Sequence, residues 1–213
     1  LGALPPLDSM DSCLCMGASI GMAHGLTRVR ATADADDRPV VSVIGDSTFF
    51  HSGITGLLDV VYNRGDTTTM VLDNRTTAMT GHQEHPGTGR TLAGEDAPNV
   101  DIEGLVRSLG VEDVETVDAY DLMDAGRAID RATRSDRPSV LVTKAACVLN
   151  ERIRFGDGVA VDLDRCTDCF ACADIGCPAL QELDGRMHVD RLLCIDCTHC
   201  QQVCSDCNAG IDI

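Results

Sequence analysis

The sequence predicts an α/β protein in which a parallel-sheet domain is followed by a small α+β domain that is rich in cysteine. Over residues 1–148, short apolar runs that can form buried strands alternate with segments of helical periodicity. This alternation is typical of a parallel sheet with helices on both faces. From Arg165 onward, cysteines recur at short and regular intervals. We therefore predict a linker at residues 149–158 and a second domain at residues 159–213.

The first strand–helix–strand unit is predicted between residues 40 and 74. The apolar runs at 40–44 and 70–72 indicate buried strands. Residues 53–62 have helical spacing, with four apolar side chains expected on one face: Ile54, Leu57, Leu58 and Val61. Asp46 and Asn74 follow the two strands, and neighbouring parallel strands end at the sheet edge where α/β proteins bind cofactors. We expect these two side chains to meet there, although 28 positions separate them.

The remaining elements of the first domain flank this unit. A helix is expected to begin within residues 16–23, ahead of the first strand. Residues 76–99 have little apolar periodicity, and a loop of this length inside a compact domain is usually functional. The last predicted elements are a helix at 101–109, a strand at 111–117, a helix at 121–133 and a strand at 139–143.

The composition argues against several classes of protein. The formal net charge of −17 opposes nucleic-acid binding, which needs a basic surface. No apolar run approaches the roughly 20 residues of a membrane span, and the first residues show no secretory signal. Most of the 12 cysteines fall in a metal-type spacing rather than a disulfide framework. These features predict a reducing, oxygen-poor and cytoplasmic setting.

The charged residues are also unusual in kind. There are 27 Asp against 7 Glu, and 16 Arg against a single lysine, Lys144. A GC-rich genome alone could account for the excess of Arg over Lys. Heavy use of Asp together with the loss of Lys favours adaptation to high salt, where a strongly charged surface is tolerated.

The residue types at the predicted sheet edge suit a magnesium diphosphate. Mg²⁺ takes hard oxygen ligands and is often held by one or two protein oxygens together with substrate phosphates. Asp46 offers a charged oxygen and Asn74 a neutral one, while Gly45 allows a close backbone approach. An ordinary strand–helix turn followed by an unrelated Asn is the alternative interpretation.

Two cysteine runs predict iron–sulfur clusters. Each has the spacing C-x₂-C-x₂-C and a trailing fourth cysteine, which is the two-cluster bacterial ferredoxin arrangement, in which the fourth cysteine of one run binds the other cluster. We assign to one [4Fe–4S] cluster Cys166, Cys169, Cys172 and Cys204. We assign to the second Cys177, Cys194, Cys197 and Cys200. Cys207 is the alternative to Cys204, and zinc is the alternative to iron.

The sequence around the predicted sheet edge resembles that of a known family. Thiamine-diphosphate enzymes carry Gly-Asp-Gly followed by Asn, and this chain has Gly45-Asp46-Ser47, then Asn74 after 26 residues. Ser47 departs from the third glycine of that signature. The wider segments GDSTFFHSGITGLLDVVYN and LDNRTTAMTGHQEHPGTG closely resemble the indolepyruvate ferredoxin oxidoreductase alpha subunit, and the likeness covers nearly the whole chain. It implies metal ligation by Asp46, Asn74 and the backbone carbonyl of Thr76.

The resemblance also implies a reaction and its partners. The fold would be a thiamine-diphosphate-binding domain followed by a dicluster ferredoxin domain, in the C-terminal part of a longer subunit. The substrate would be an aryl pyruvate such as indolepyruvate, the acyl acceptor coenzyme A and the electron acceptor a separate ferredoxin. A beta subunit and a pyrimidine-binding domain would complete the enzyme. The alternatives are a pyruvate- or 2-oxoglutarate-type oxidoreductase, and a plain dicluster electron carrier with a docking domain.

Several single residues have two interpretations. Met16 opens the predicted helix start, and the likeness to thiamine enzymes implies that it could be an apolar prop beneath the cofactor; an ordinary core residue is the alternative. His51, His82 and His85 could each carry protons or donate hydrogen bonds near the cofactor, since histidine titrates near neutrality, although any one of them is more often structural. His51, just past the Gly-Asp-Ser turn, is the catalytic candidate among them. The isolated pair Cys13 and Cys15 is expected to consist of buried small residues rather than metal ligands.

Overall fold

The computed structural model describes residues 2–33, 38–151, 158–204 and 211–212. The chain divides into two compact units, one formed by Leu14–Glu151 and the other by Leu1–Cys13 with Arg152–Ile213. The first 13 residues thus belong with the cysteine-rich unit, whereas we expected them in the sheet domain. Of the predicted linker, residues 152–157 lie outside the described residues. No helix in the described part of the chain is long and apolar enough to cross a membrane.

The larger unit is built on a four-stranded parallel sheet. Its strand order is β1-β2-β4-β3, and the strands are β1 Val41–Gly45, β2 Thr68–Asp73, β3 Asp113–Asp118 and β4 Ser139–Lys144. The inner strand β4 is buried over Ser139–Thr143, as its continuous apolar run predicts. Gly45 lies opposite Leu72 in the β1–β2 register. The residues that follow these two strands therefore arrive together at one edge of the sheet.

Helices cover this sheet unequally. They are α1 Ala18–Ala33, α2 Asp46–Thr48, α3 Ile54–Tyr62, α4 Ile102–Ser108, α5 Leu122–Thr133 and α6 Val148–Glu151. Side chains from α1, α3 and α4 form the main core with one face of the sheet, whereas α5 packs on the other face through Ala128 against Leu141. Val41, Val43 and Leu72 stay exposed. The expectation of helices on both faces therefore holds beside β3 and β4, whereas no helix among the described residues covers the outer face of β1 and the adjoining end of β2.

The helix after β1 begins earlier than its periodicity predicts. The chain becomes helical at Asp46, passes through a π-helical turn at Phe49–Gly53 and continues as α3. Leu57 and Val60 are its buried residues, whereas Leu58 is 49% exposed. The prediction that Leu58 lies on the buried face is therefore wrong. The Leu58 side chain is rotated about 100° around the helix axis from Leu57, which places it at the margin of the packed face.

The helix boundaries in the second half of this unit follow from side-chain caps. The Asp101 carboxylate accepts a hydrogen bond from the Gly104 amide, and the Asp121 carboxylate accepts one from the Asp124 amide. An N-terminal Asp satisfies an otherwise unpaired helix amide and also complements the helix dipole. The predicted starts of both helices are confirmed to within one residue.

The cysteine-rich unit has little regular structure. It contains the hairpin β6 Leu180–Leu183 and β7 Arg186–Val189, the short antiparallel pair β5 Ala160–Val161 and β8 Ile211–Asp212, and the helix α7 His199–Cys204. Asp184 and Gly185 both have positive φ, as a tight two-residue hairpin turn requires. Val159 and Met187 form its small core together with cysteine side chains.

Candidate cofactor and metal sites

The Asp46 carboxylate lies at the carboxyl end of β1 and is only 2% exposed. Its Oδ1 accepts a 2.7 Å hydrogen bond from the Ser47 amide. Its Oδ2 accepts a 2.8 Å hydrogen bond from the Arg75 amide, beyond the end of β2. The Asp46 carboxyl group therefore joins the two parts of the sequence signature, Gly45-Asp46-Ser47 and the turn at Asn74, as the adjacency of β1 and β2 requires.

Burial raises the pKa of the Asp46 carboxyl above its ordinary value. The amides of Ser47 and Arg75 and the His85 ring oppose this effect, while the nearby Asp73 carboxyl adds to it. Removing a carboxylate from water is unfavourable unless an opposite charge compensates it. A divalent cation at Asp46 would supply that compensation.

The turn after β2 places further oxygen atoms at this edge. Arg75 has φ of 62°, a left-handed conformation that costs free energy for a residue with a side chain and is concentrated at functional sites. Asn74 is half-buried, and its Oδ1 accepts a 3.1 Å hydrogen bond from the amide of Thr76, which is itself buried. The sharp turn thus keeps the Asn74 side chain and the Thr76 backbone close together.

Ser47, the residue that departs from the family signature, also contacts this turn. The Thr77 hydroxyl donates a 2.7 Å hydrogen bond to Ser47 Oγ. A Cβ atom built on Gly45 would meet nothing within 4 Å, so open space adjoins the end of β1. The donor set of one carboxylate, one amide oxygen and one backbone carbonyl, next to open space, fits a Mg²⁺ diphosphate.

The loop at residues 76–99 brings one of its histidines to the site. His85 is buried, and its Nε2 lies 3.1 Å from Asp46 Oδ2. His82 is half-buried and its Nδ1 has no hydrogen-bond partner among the described residues. His51 lies on the π-helical turn with an exposed side chain. Of the three histidines considered in the sequence, His85 is therefore the one in contact with a predicted metal ligand.

Met16 lies in the segment that packs against the helical turn after β1. The neighbouring Gly17 has φ of 86°, and a Cβ atom there would come within 2.0 Å of Ser52 Oγ, so only glycine fits. The Met16 side chain is 66% exposed. Met16 is therefore not a core residue, and its role as a prop beneath the cofactor stays a prediction.

The four cysteines assigned to the first cluster line one cavity in the smaller unit. Phe170 and Met187 contribute to its wall, together with Cys166, Cys169, Cys172 and Cys204. Burial raises the pKa of the Cys172 thiol, and the nearby Cys204 thiol raises it further. The structure thus brings Cys204 to the first run, as the prediction requires. Cys207 lies outside the described residues.

The cysteines assigned to the second cluster also lie near one another. Burial raises the pKa of Cys200 to about 11, and the thiols of Cys197, Cys177 and Cys194 add to the increase. A hydrogen bond from the His199 side chain lowers the pKa of the Cys197 thiol. Iron binds the thiolate form of cysteine, so bound iron would offset the free-energy cost of ionising these buried thiols.

The two cysteine runs share an unusual backbone conformation. Asp168 and Phe170 in the first run have positive φ, and so do Asp196 and Thr198 at the matching positions of the second. Backbone that alternates in this way forms concave surfaces of amide groups that bind anions, including iron–sulfur clusters. The Asp196 amide donates to the Cys194 thiol. This repeated conformation fits two clusters bound in the same manner.

Not every cysteine is placed as the sequence suggests. Among the described residues, no three His, Cys, Asp or Glu side chains converge on a position that could hold a single metal ion. The expectation that Cys13 and Cys15 are buried is wrong, because both are exposed. Cys13 belongs with the smaller unit, whereas Cys15 belongs with the sheet unit.

Three contributions to the sheet-edge site were missed in the sequence. The Arg75 amide binds Asp46, the Thr77 hydroxyl binds Ser47, and the Cys147 amide donates a 3.0 Å hydrogen bond to the Asn74 carbonyl. Two of the three use backbone amides, which every residue except proline carries. Only the Asn-Arg-Thr-Thr sequence, with an Asn suited to a local turn, could have indicated this arrangement.

Comparison with known proteins places this geometry in context. A family model described as "Thiamine pyrophosphate enzyme, C-terminal TPP binding domain" matches residues 3–143. The "Indolepyruvate oxidoreductase subunit IorA" of Methanothermobacter marburgensis is 42% identical over 205 residues, which are 96% of this chain and 32% of the relative. The protein of the same name from Archaeoglobus fulgidus is 39% identical over 209 residues, 96% of this chain and 33% of the relative. The predicted resemblance is confirmed, and the chain spans about a third of the length of these curated relatives.

A solved structure supports the architecture of the larger unit. The 2-oxoglutarate:ferredoxin oxidoreductase from Magnetococcus marinus, with 2-oxoglutarate, coenzyme A and succinyl-CoA bound, matches with a TM-score of 0.53 and 16% identity. The match covers 62% of this chain and 46% of that chain. Likeness at this level of identity concerns the fold alone, and it confirms the parallel α/β fold predicted from the sequence.

Proposed function

The chain belongs to the family of thiamine pyrophosphate enzymes, and we propose that it supplies the diphosphate-binding and electron-exit parts of a 2-oxo acid oxidoreductase. One observation carries the proposal. The same chain holds a buried carboxylate at the end of a parallel strand and two groups of four neighbouring cysteines. A docking scaffold for an electron carrier needs no oxygen ligands at a sheet edge. A decarboxylase that does not oxidise its substrate needs no clusters.

The sheet edge would hold Mg²⁺ and the diphosphate of the cofactor. Asp46, the Asn74 side chain and the Thr76 carbonyl would be the protein ligands, and Gly45 and Ser47 would adjoin the phosphates. The amide hydrogen bonds to Asp46 hold its carboxylate in place before the ion binds, which reduces the reorganisation that binding requires. Thiamine diphosphate, when bound, supplies the carbanion chemistry by which a 2-oxo acid loses CO₂.

The cysteine-rich unit would hold two [4Fe–4S] clusters. Clusters of this type transfer single electrons, so they suit a reaction whose two electrons must reach a one-electron acceptor. The proposed acceptor is a separate ferredoxin. Cysteine thiolates and oxygen-sensitive clusters favour a reducing, cytoplasmic environment.

The proposed substrate is an aryl pyruvate, with indolepyruvate the first to test, and the proposed acyl acceptor is coenzyme A. The names of the relatives support the substrate. The relatives are about three times as long as this chain and are named as a subunit. We therefore propose that a pyrimidine-binding region and a second subunit complete the enzyme.

A binding measurement tests the magnesium site directly. Titration calorimetry of thiamine diphosphate into the full-length subunit should show binding with Mg²⁺ and little binding with EDTA. No binding at all would favour the plain electron carrier, and binding that ignores Mg²⁺ would contradict the magnesium site. An assay of the assembled enzyme with indolepyruvate, pyruvate and 2-oxoglutarate, each with ferredoxin and coenzyme A, then identifies the substrate class.

Electron exit is tested by measuring two products of the reaction, CO₂ and reduced ferredoxin, independently of each other. In a Cys197→Ala variant, one turnover should still release CO₂ from labelled substrate, whereas sustained ferredoxin reduction should collapse. Replacement of the exposed Cys13 by Ala is the matched control and should leave both measurements unchanged. Normal ferredoxin reduction in a Cys197→Ala protein that has lost a cluster would show that electrons leave by another route.

A further inference from the structure

We propose that His85 is a positioning residue that orients the Asp46 carboxylate so that one defined oxygen faces the metal. This inference rests on the proposed function, since it concerns the same Mg²⁺ site. The residue His85 is 8% exposed, and its Nε2 lies 3.1 Å from Asp46 Oδ2. The contact joins the long loop after β2 to the carboxylate at the end of β1, 39 residues earlier.

The hydrogen bonds of the ring define its tautomer. The Gly87 amide donates a 3.1 Å hydrogen bond to His85 Nδ1. Because an amide N–H can only donate, Nδ1 must be an acceptor and therefore carries no proton. In the neutral ring, the proton is then on Nε2, which donates to Asp46 Oδ2. The backbone of the loop thus determines which ring nitrogen faces the carboxylate.

Packing holds the ring in this orientation. The Phe50 ring lies against it, with 5.6 Å between the centroids. A Cβ atom on Gly87 would come within 2.8 Å of the Phe50 ring and 3.1 Å of His85 Cε1, so the loop backbone closes tightly over both rings. The Thr88 amide and hydroxyl each donate a 2.9 Å hydrogen bond to the His85 carbonyl. Both the side chain and the backbone of His85 are therefore restrained.

The arrangement distinguishes the two oxygens of Asp46. Oδ2 accepts hydrogen bonds from the Arg75 amide and from His85, which occupy both of its lone pairs. Among the described residues, Oδ1 accepts one hydrogen bond, from the Ser47 amide. Oδ1 is therefore the oxygen with a lone pair available for Mg²⁺. Groups that orient a metal ligand in this way commonly change metal affinity about 10- to 100-fold when they are removed.

Magnesium affinity of the full-length subunit tests the proposal without any assay of catalysis. Thiamine diphosphate would be titrated calorimetrically into the subunit at a series of fixed Mg²⁺ concentrations, and the Mg²⁺ dependence of its binding gives the Mg²⁺ affinity. His85→Leu, which retains bulk but cannot donate, should weaken Mg²⁺ binding about 10- to 100-fold. In His85→Gln the amide nitrogen reaches the position of Nε2, so this variant should recover most of the affinity. His85→Asn is as polar but too short to reach Asp46 and should resemble His85→Leu.

An exposed histidine provides the control, and several results would overturn the proposal. His188→Leu changes an exposed histidine of the other unit and should leave Mg²⁺ affinity unchanged. Wild-type affinity in a folded His85→Leu or His85→Asn variant overturns the proposal. Equal losses in His85→Gln and His85→Asn overturn it as well, since His85 would then act by packing alone. Wild-type protein without Mg²⁺-dependent cofactor binding overturns the proposed function too, and that result is visible before any variant is made.

Discussion

The amide nitrogen of Arg75 lies 2.8 Å from Oδ2 of Asp46 and donates a hydrogen bond across 29 positions of sequence. This bond links the ends of β1 and β2. It depends on the left-handed conformation of Arg75, because that conformation turns the chain sharply after Asn74. The strain is local, and the bond to a buried carboxylate helps to offset it. The oxygen atoms of the proposed metal site are therefore held in place by the chain itself.

Replacement of Asp46 should abolish the magnesium site. In Asp46→Ala, Mg²⁺-dependent binding of thiamine diphosphate should be lost, because the charged oxygen ligand is gone. Stability should fall by at least about 1 kcal/mol, since buried donors such as the Arg75 amide lose their acceptor. Iron content should not change. Asp66→Ala, at an exposed position, is the control, and retained cofactor affinity in Asp46→Ala would remove this interpretation of the site.

The hydroxyl pair of Ser47 and Thr77 should contribute to cofactor binding as a unit. Ser47→Ala and Thr77→Val each remove the 2.7 Å hydrogen bond, which contributes about 0.5–1.5 kcal/mol net. Each should weaken thiamine diphosphate binding about 2- to 10-fold. The double variant should be little worse than either single one, because the same contact is lost. Fully additive losses would show that the two hydroxyls act separately.

Iron content should identify the eighth cluster ligand. Anaerobically reconstituted protein should contain about eight iron atoms, four for each cluster. Cys204→Ala should lower the count to about four, because Cys204 lines the cavity with the three cysteines of the first run. Cys207→Ala is the matched variant and should keep about eight. The reverse pattern would assign the ligand to Cys207.

Stability should increase with salt. At a net charge of −17, repulsion among carboxylates is screened over about 10 Å at 0.1 M ionic strength and about 3 Å at 1 M. Salt also weakens exposed ion pairs such as Arg134–Asp130, but each contributes at most about 1 kcal/mol, so the excess of acidic residues should determine the sign. The melting temperature and activity should rise between 0.1 and 2 M KCl. Equal stability and activity in dilute buffer would count against adaptation to high salt.

Glu103 should make stability dependent on pH in a predictable direction. Hydrogen bonds from Arg107 and Thr116 lower the pKa of the Glu103 carboxyl in the folded protein. A lowered pKa stabilises the fold above the ordinary pKa of Glu, and this contribution is lost as the pH falls through the folded value. Because both partners of the ion pair are partly exposed, the effect should be only about 0.3–1 kcal/mol.

Paired measurements of unfolding at two pH values check this prediction. Glu103→Gln should destabilise the protein at pH 7, and the difference from wild type should narrow towards pH 4. Glu112→Gln alters a more exposed ion pair with Arg137 and should have a smaller effect. A difference that is the same at both pH values would show that the Glu103 charge is not responsible.

The elements of the sheet domain were predictable because they depend on local periodicity. Continuous apolar runs marked β1, β2 and β4, and the helices predicted from Asp101 and Asp121 begin within one residue of those positions. Leu58 was misassigned because periodicity identifies an apolar stripe but not its margin. The outer face of β1, which no described helix covers, could not be foreseen, since coverage of a face depends on where a distant helix packs.

By itself, the sequence determined that β1 and β2 are adjacent, through their strand–helix–strand pattern, and so the meeting of Asp46 with the turn at Asn74. It also determined the grouping of the cysteines, because fixed spacing limits which thiols can approach one another. Only the tertiary structure selected His85 from three histidines and brought the Arg75 amide to Asp46. These contacts depend on loop dihedral angles and on packing between residues distant in sequence. No local pattern of residue types encodes such contacts.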